Sequence, residues 1–154
     1  LYRYLTRLLV ERISWLCRDA RKPNEGNGLV DLIFSDRASM SYDDIRAYFD
    51  LLRQQSQAGG DVNIHWSAIN TSSLQAVAHS KLAGLQVADA VATSYFYGIK
   101  LSRYGIVDPS YVRMLKRHAY RHDANCFGYG VKFLSKIDSL RQRMPHLNST
   151  FEEW

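Results

Sequence analysis

Gly84-Leu85-Gln86-Val87-Ala88-Asp89-Ala90-Val91-Ala92, set inside the longer run from Lys81 to Thr93, decides how this chain is read. At about 3.6 residues per helical turn, Leu82, Leu85, Ala88, Ala92, Phe96 and Ile99 share one face, and Asp89 falls among them. The pattern predicts a helix from about Lys81 to Ser102 with a carboxylate in its apolar stripe. Such a position should be buried, and a buried carboxylate must find a cation, a metal or several hydrogen-bond donors, because stripping water from an ionised acid is costly. The simpler alternative is an Asp that caps a neighbouring segment or stands at the edge of the stripe.

Working upstream, Leu29-Val-Asp-Leu-Ile-Phe-Ser35 has the length and apolarity of a strand, and a polar stretch from Asp36 to Ser41 follows it. Ser41 is placed to cap a helix with Asp43 and Asp44 in its first turn, Ile45, Tyr48, Phe49 and Leu52 on its inner face, and Gly59-Gly60 beyond its end. Val62-Asn-Ile-His-Trp66 alternates and reads as a second strand. A strand, helix, strand, helix order predicts parallel pairing with helices packed on the sheet. Two strands do not make a stable sheet alone, so a further segment of the same protein or a partner chain is expected to complete it.

The first helix is expected from Tyr2 to Asp19, with Leu5, Leu8, Leu9, Ile13, Leu16 and Cys17 inward and Arg18, Arg21 and Lys22 near its negative end. It opens at Leu1 with no capping residue before it, which suits a chain truncated upstream of this helix. Past Tyr104-Gly105 the text changes. Asp108-Pro109-Ser110 starts another helix, with Tyr111, Leu115, His118 and Ala119 inward and Arg113, Lys116, Arg117 and Arg121 on an exposed basic face. Phe127 to Leu134 reads as a short strand or extended arm, and Ile137 to Arg143 as a terminal helix. The division expected is one domain over residues 1–104 and a helical, basic extension over 105–154 packed on it.

With 46% apolar and 23% charged residues the chain is globular, not disordered, and no apolar run is long enough to span a bilayer. No signal-peptide pattern opens it, and Cys17 and Cys126 lie too far apart for a paired or metal-type motif, which suits a cytoplasmic setting. A formal net charge of +5 makes nucleic acid a compatible partner.

The run from Gly84 to Ala92 resembles the GLQ-x-AD-x-x-A pattern of the domain of unknown function 3800 family. Leu32-Ile-Phe-Ser-Asp36-Arg37 is similar to that family's apolar strand ending in an Asp followed by a basic or small polar residue. The resemblance covers roughly residues 1 to 100 and implies the C-terminal half of a ribonuclease H-like fold, with carboxylates gathered at the sheet edge. The family's opening strand, an acidic Asp-Glu-Ser-Gly turn, has no counterpart here.

One Asp at the C-terminal end of a parallel strand and another on a helix packed across it meet at one rim. Asp36 and Asp89 fit those places and are the expected catalytic and metal-holding residues. Such a rim can hold Mg²⁺ or Mn²⁺ through one or two carboxylates plus water and phosphate oxygens. Arg37 and Lys81 are the expected phosphate contacts, against a salt bridge with Asp36 for Arg37 and a solvated lysine for Lys81. His118, His122 and Cys126 recur every four residues, a spacing that allows zinc on one helix. No Glu stands between them, however, and Cys126 falls where a helix would end. Tyr95, Phe96, Tyr97, Tyr104, Tyr111, Tyr120 and Tyr129 can stack on single-stranded bases or pack a core.

Two functions follow as expectations. The first is part of a metal-dependent nuclease or phosphodiesterase of ribonuclease H-like type, inactive as this chain alone. The second is a non-catalytic scaffold that binds nucleic acid or protein, with Arg113, Lys116, Arg117 and Arg121 as its contacts.

Overall fold

The computed structural model describes residues 2–22, 26–37, 40–152 and 154. It is a mixed α/β structure with one two-stranded parallel sheet. By compactness the chain divides into Leu1–Leu85 and Gln86–Trp154. No helix among the described residues is long and apolar enough to cross a membrane.

The first unit is a βαβ arrangement preceded by a helix. Helix α1 (Tyr2–Ala20) leads to strand β1 (Val30–Ser35), helix α2 (Tyr42–Gln57) and strand β2 (Ile69–Val77). Ser41 caps α2 as its residue type requires, its side chain accepting from the Asp44 N–H at 3.2 Å, and Asp43 and Asp44 face the positive helix end. Ile45, Phe49 and Leu52 of α2 pack with Val10, Leu32, Val62, Ile64, Ile69 and Leu74 into one core. The strands run parallel from Val30↔Ile69 to Ser35↔Val77, with a register shift between Asp31 and Ile33.

Two expectations for this unit are corrected. The second strand is Ile69–Val77, not Val62–Trp66. Val62 and Ile64 do point inward, but the backbone between and beyond them is held by side chains of α1 instead of a strand. The Asn63 N–H donates to Glu11 Oε1 (3.4 Å), the His65 N–H donates to Ser14 Oγ (2.9 Å), and Trp15 Nε1 donates to the Asn63 carbonyl (2.6 Å). The inner stripe of α1 is accordingly Thr6, Val10, Glu11 and Ser14, while Leu5, Leu9 and Leu16 are exposed. A helix that secures a neighbouring segment through polar side chains turns its polar stripe inward, which hydrophobic periodicity alone does not foresee.

Helix α3 (Ala83–Ile99) crosses the division between the units. In the second unit follow α4 (Ser110–Leu115), α5 (Ile137–Arg143) and α6 (Leu147–Thr150). Their core is Val112, Val131, Leu147 and Phe151, edged by Tyr95, Phe127, Phe133 and Trp154. Val112 is fully buried and Tyr111 is 60% exposed, so the inner face of α4 is one residue out of phase with the expected one. Phe127 to Leu134 is neither strand nor simple arm: a single bridge joins Phe127 to Val131, and the Gly128 N–H donates to the Val131 carbonyl at 2.7 Å. The end of α3 is capped from α6. Thr150 Oγ1 donates to the Gly98 carbonyl (2.6 Å), and His146 Nε2 donates to the Ile99 carbonyl (2.8 Å).

Candidate functional site

The parallel strands end together. Ser35 pairs with Val77, and the next residue continues the ladder, its Asp36 N–H donating to the Val77 carbonyl at 2.8 Å. Asp36 and Arg37 therefore leave β1 at the same edge where β2 passes into the 3₁₀ turn His79–Lys81. All four of Asp36, Arg37, His79 and Lys81 are exposed. This is the C-terminal edge of the sheet, the edge at which open α/β folds place ligands. Among the described residues the Asp36 carboxylate has no hydrogen-bond or ion-pair partner, so it is not tied up in a salt bridge with Arg37.

Lys81 stands in a different element from the expected one. It is not in the helix: the turn is closed by its own N–H on the Ala78 carbonyl (2.9 Å), Leu82 is extended (φ −137°, ψ 113°), and α3 starts at Ala83. The expected shared face with Asp89 is lost because the extended residue breaks the helical phase. Lys81 stands instead at the end of the turn that leaves β2, four residues past Val77.

Asp89 stands in the second turn of α3 and is exposed, as are Ala88, Ala92 and Phe96, the last at 50%. The expectation of a buried carboxylate is overturned. Of that stripe Leu85 is buried, and Leu82 and Ile99 are half-buried. The second-unit core reaches the helix near its C-terminal end, where Gly98 meets Val112 and Thr150. An exposed Asp needs no compensating cation, so the desolvation argument for a partner at Asp89 falls away. Asp36 and Asp89 belong to different units. Among the described residues, no three His, Cys, Asp or Glu side chains are gathered to hold a metal ion.

The expected basic residues converge, although not along one helix. α4 ends at Leu115, Lys116–His118 form a 3₁₀ turn, and Arg121 follows in irregular chain. Arg113, Lys116, Arg117 and Arg121 line one open groove of about 480 Å³ together with Met114. Their heads are partly committed. Arg113 donates twice to the Ser149 carbonyl (3.2 and 2.6 Å), Arg121 donates to the carbonyls of Lys116 (3.1 Å) and Ala124 (3.4 Å), and Arg117 Nε donates to His118 Nε2 (3.0 Å). The four-residue spacing of His118, His122 and Cys126 is not helical here. Asp123 and Ala124 turn the chain with positive φ (49° and 64°), and Cys126 is fully buried.

Sequence reasoning missed Met114, which stands in α4 beside the basic residues, and Tyr42, whose hydroxyl donates to the Ser35 carbonyl and accepts from the Arg37 N–H. Neither belongs to a motif or to a stripe whose period would single it out. Comparison of the chain with protein-family models, with curated proteins and with solved structures finds no match.

Proposed function

We propose that this chain is the C-terminal half of a ribonuclease H-like domain of the domain of unknown function 3800 type. On this reading it is part of a divalent-metal-dependent nuclease or phosphodiesterase. The observation that supports the reading is the shared strand end, where Asp36 and Arg37 leave β1 beside the last residue of β2, and β2 passes into the turn that carries Lys81. An exposed, unpaired carboxylate fits Mg²⁺ or Mn²⁺, hard cations that take one or two carboxylates and keep several waters. Asp36 would hold the metal from the end of β1, and the family resemblance, not the geometry, nominates Asp89 as a further catalytic carboxylate. A metal so bound supplies an activated water and neutralises charge on a phosphodiester. Arg37 offers a planar donor fork and Lys81 a mobile ammonium to phosphate oxygens. Neither strand has a second neighbour among the described residues. An acidic strand of the same protein or of a partner chain is the proposed source of the remaining carboxylates.

The test is cleavage of labelled DNA and RNA in Mg²⁺ or Mn²⁺ by the full-length parent and by Asp36→Asn and Asp89→Asn variants. Loss of cleavage with an intact fold is expected for both, since Asn keeps the shape and loses the charge that holds the metal. Undiminished cleavage by either variant removes that residue from the site. The second reading, a non-catalytic scaffold binding nucleic acid, is favoured by the convergence of Arg113, Lys116, Arg117 and Arg121 on one groove, which needs no carboxylates. Salt-sensitive binding without cleavage in the parent selects it.

A further inference from the structure

The chain around the end of α3 turns its rings and aliphatic side chains outward. Phe96 is 50% exposed, Tyr97 57%, Tyr104 71% and Ile106 67%. The turn that carries the last two is nonetheless fixed. The Ser102 N–H donates to the Ile106 carbonyl (2.8 Å), the Gly105 N–H donates to the Ser102 carbonyl (3.0 Å), and Ser102 Oγ accepts from the Tyr104 and Ile106 N–H groups (3.3 and 3.2 Å). Beyond the turn the Asp108 N–H ties the returning chain to the Tyr97 carbonyl at 3.1 Å. Phe96, Tyr97 and Ile106 give apolar walls to an open groove of about 450 Å³.

Two cations stand over this aromatic surface. Lys100 Nζ is 4.8 Å from the centre of the Phe96 ring, and the Arg103 guanidinium carbon is 4.6 Å from that of Tyr104. Neither has an ion-pair partner among the described residues. Asp108 also lines the groove, its carboxylate accepting from the Ser110 N–H at 3.0 Å, so two cations stand against one anion. Rings that are exposed, held in place and paired with cations suit a ligand whose flat π faces are joined by negative charges. A bilayer also accepts aromatic and basic side chains, but a concave groove fits a ribbon of separate bases better than a flat surface. The same segment leads on to more positive charge: Asp108 stands just before α4, and Arg113 lines the basic groove from within that helix.

We propose that the groove from Phe96 to Asp108 is a base-stacking subsite for single-stranded nucleic acid. With the guanidinium on one side of its ring, Tyr104 offers the other face to an unpaired base, and Lys100 and Arg103 meet the flanking phosphates. This rests on the nucleic-acid-binding reading given above and adds to it a preference for unpaired bases, which phosphate contacts alone do not produce.

The experiment compares, by fluorescence anisotropy, binding of the chain to a labelled oligothymidylate of about 12 nucleotides, a length within single-strand site sizes, and to an abasic oligomer of equal length. The abasic oligomer keeps every phosphate and lacks the bases. The wild type should bind the oligothymidylate about 10-fold more tightly. Tyr104→Ala should erase that preference and leave the affinity for the abasic oligomer unchanged, whereas Tyr104→Phe, which keeps the ring, should retain it. Lys100→Gln should weaken binding of both oligomers and reduce the salt slope by about 0.7. Equal affinity of the wild type for the two oligomers overturns the stacking subsite and leaves the phosphate-binding reading standing. A preference that survives in Tyr104→Ala overturns it as well, since the bases then stack elsewhere. If neither oligomer binds, the nucleic-acid reading fails and the subsite fails with it. Vesicles of equal parts phosphatidylcholine and phosphatidylserine that sediment the wild type but not Tyr104→Ala would then assign the surface to a membrane.

Discussion

Glu11 is 4% exposed and carries a charge, so its surroundings must replace the water it has lost. Arg7 Nε meets it at 3.0 Å, Arg12 Nη1 at 3.6 Å and the Asn63 N–H at 3.4 Å. Arg7 also donates to the Asp61 carbonyl, so the pair clamps the segment that enters the core at Val62. Burial pushes the Arg12 guanidinium below its ordinary range, with Glu11 acting to restore it. Glu11→Ala should therefore cost roughly 3 kcal/mol in urea denaturation, because it leaves arginines uncompensated as well as an amide unpaired. A loss below about 1 kcal/mol would show that the clamp is dispensable. Asp108 is the second residue with a readable charge. The Ser110 hydroxyl and then the Ser110 N–H, which donates to Asp108 Oδ1 at 3.0 Å, hold its carboxyl below the usual aspartate range. Folding lowers this pKa, so the unfolded chain binds the proton more readily. The stabilisation is complete above about pH 4, the unfolded range, and is lost as pH falls through the lower folded value. Carboxyl NMR titration should find Asp108 below about 3.9, moving back toward it in Ser110→Ala.

At the scale of elements, Gly98 marks where α3 meets the second-unit core. A Cβ there would stand 2.9 Å from Val112 Cγ1 and 3.3 Å from Thr150 Cγ2. Alanine is the better helix former by about 1 kcal/mol, but Val112 is β-branched and fully buried and has no room to yield. Gly98→Ala should destabilise by about 1–2 kcal/mol despite the gain in propensity. Thermal unfolding of this variant above the wild-type midpoint would contradict the contact. Along the same helix Leu85→Ala should cost about 2 kcal/mol, whereas Phe96→Ala, at a half-exposed site under Lys100, should cost less than about 1. These helices show what a sequence can display. α2 was legible throughout, since Ser41, Asp43, Asp44, Ile45, Phe49 and Leu52 each report a local rule of capping, dipole or period. α3 was legible as a helix but not in its burial. Periodicity says which residues share a face and is silent on whether anything covers it. β2 was illegible because Asn70, Thr71, Ser72, Ser73 and Gln75 obscure its alternation, and its partner β1 lies across a helix. Of the candidate site, Asp36 and Arg37 were visible as the end of an apolar strand. The place of Lys81 followed only from the true position of β2.

For the molecule as a whole, the excess of basic residues, +5 in net charge, has one local expression that an experiment can isolate. Arg113, Lys116, Arg117 and Arg121 share one groove, and Met114 and the aliphatic stems of the four side chains give it apolar walls. If a nucleic-acid backbone lies there, each phosphate neutralised releases a counterion. The affinity should then fall with salt at a log–log slope of up to about −3.6 for four contacts on duplex DNA, and less steeply on single strands. Lys116 and Arg117 are the residues to substitute. Arg113 and Arg121 also tie the carbonyls of Ser149, Lys116 and Ala124, so changing them would disturb the fold along with the charge. Titration of labelled single- and double-stranded oligonucleotides at two salt concentrations should show Lys116→Gln and Arg117→Gln each weakening binding uniformly across sequences. Each should also reduce the slope by about 1. A slope that is the same in both variants as in the wild type would place the phosphates elsewhere on this basic surface. The measurement also separates the two functional readings from the carboxylate chemistry. Asp36→Asn and Asp89→Asn remove negative charge, so they should leave this binding intact or strengthen it slightly even where they abolish cleavage.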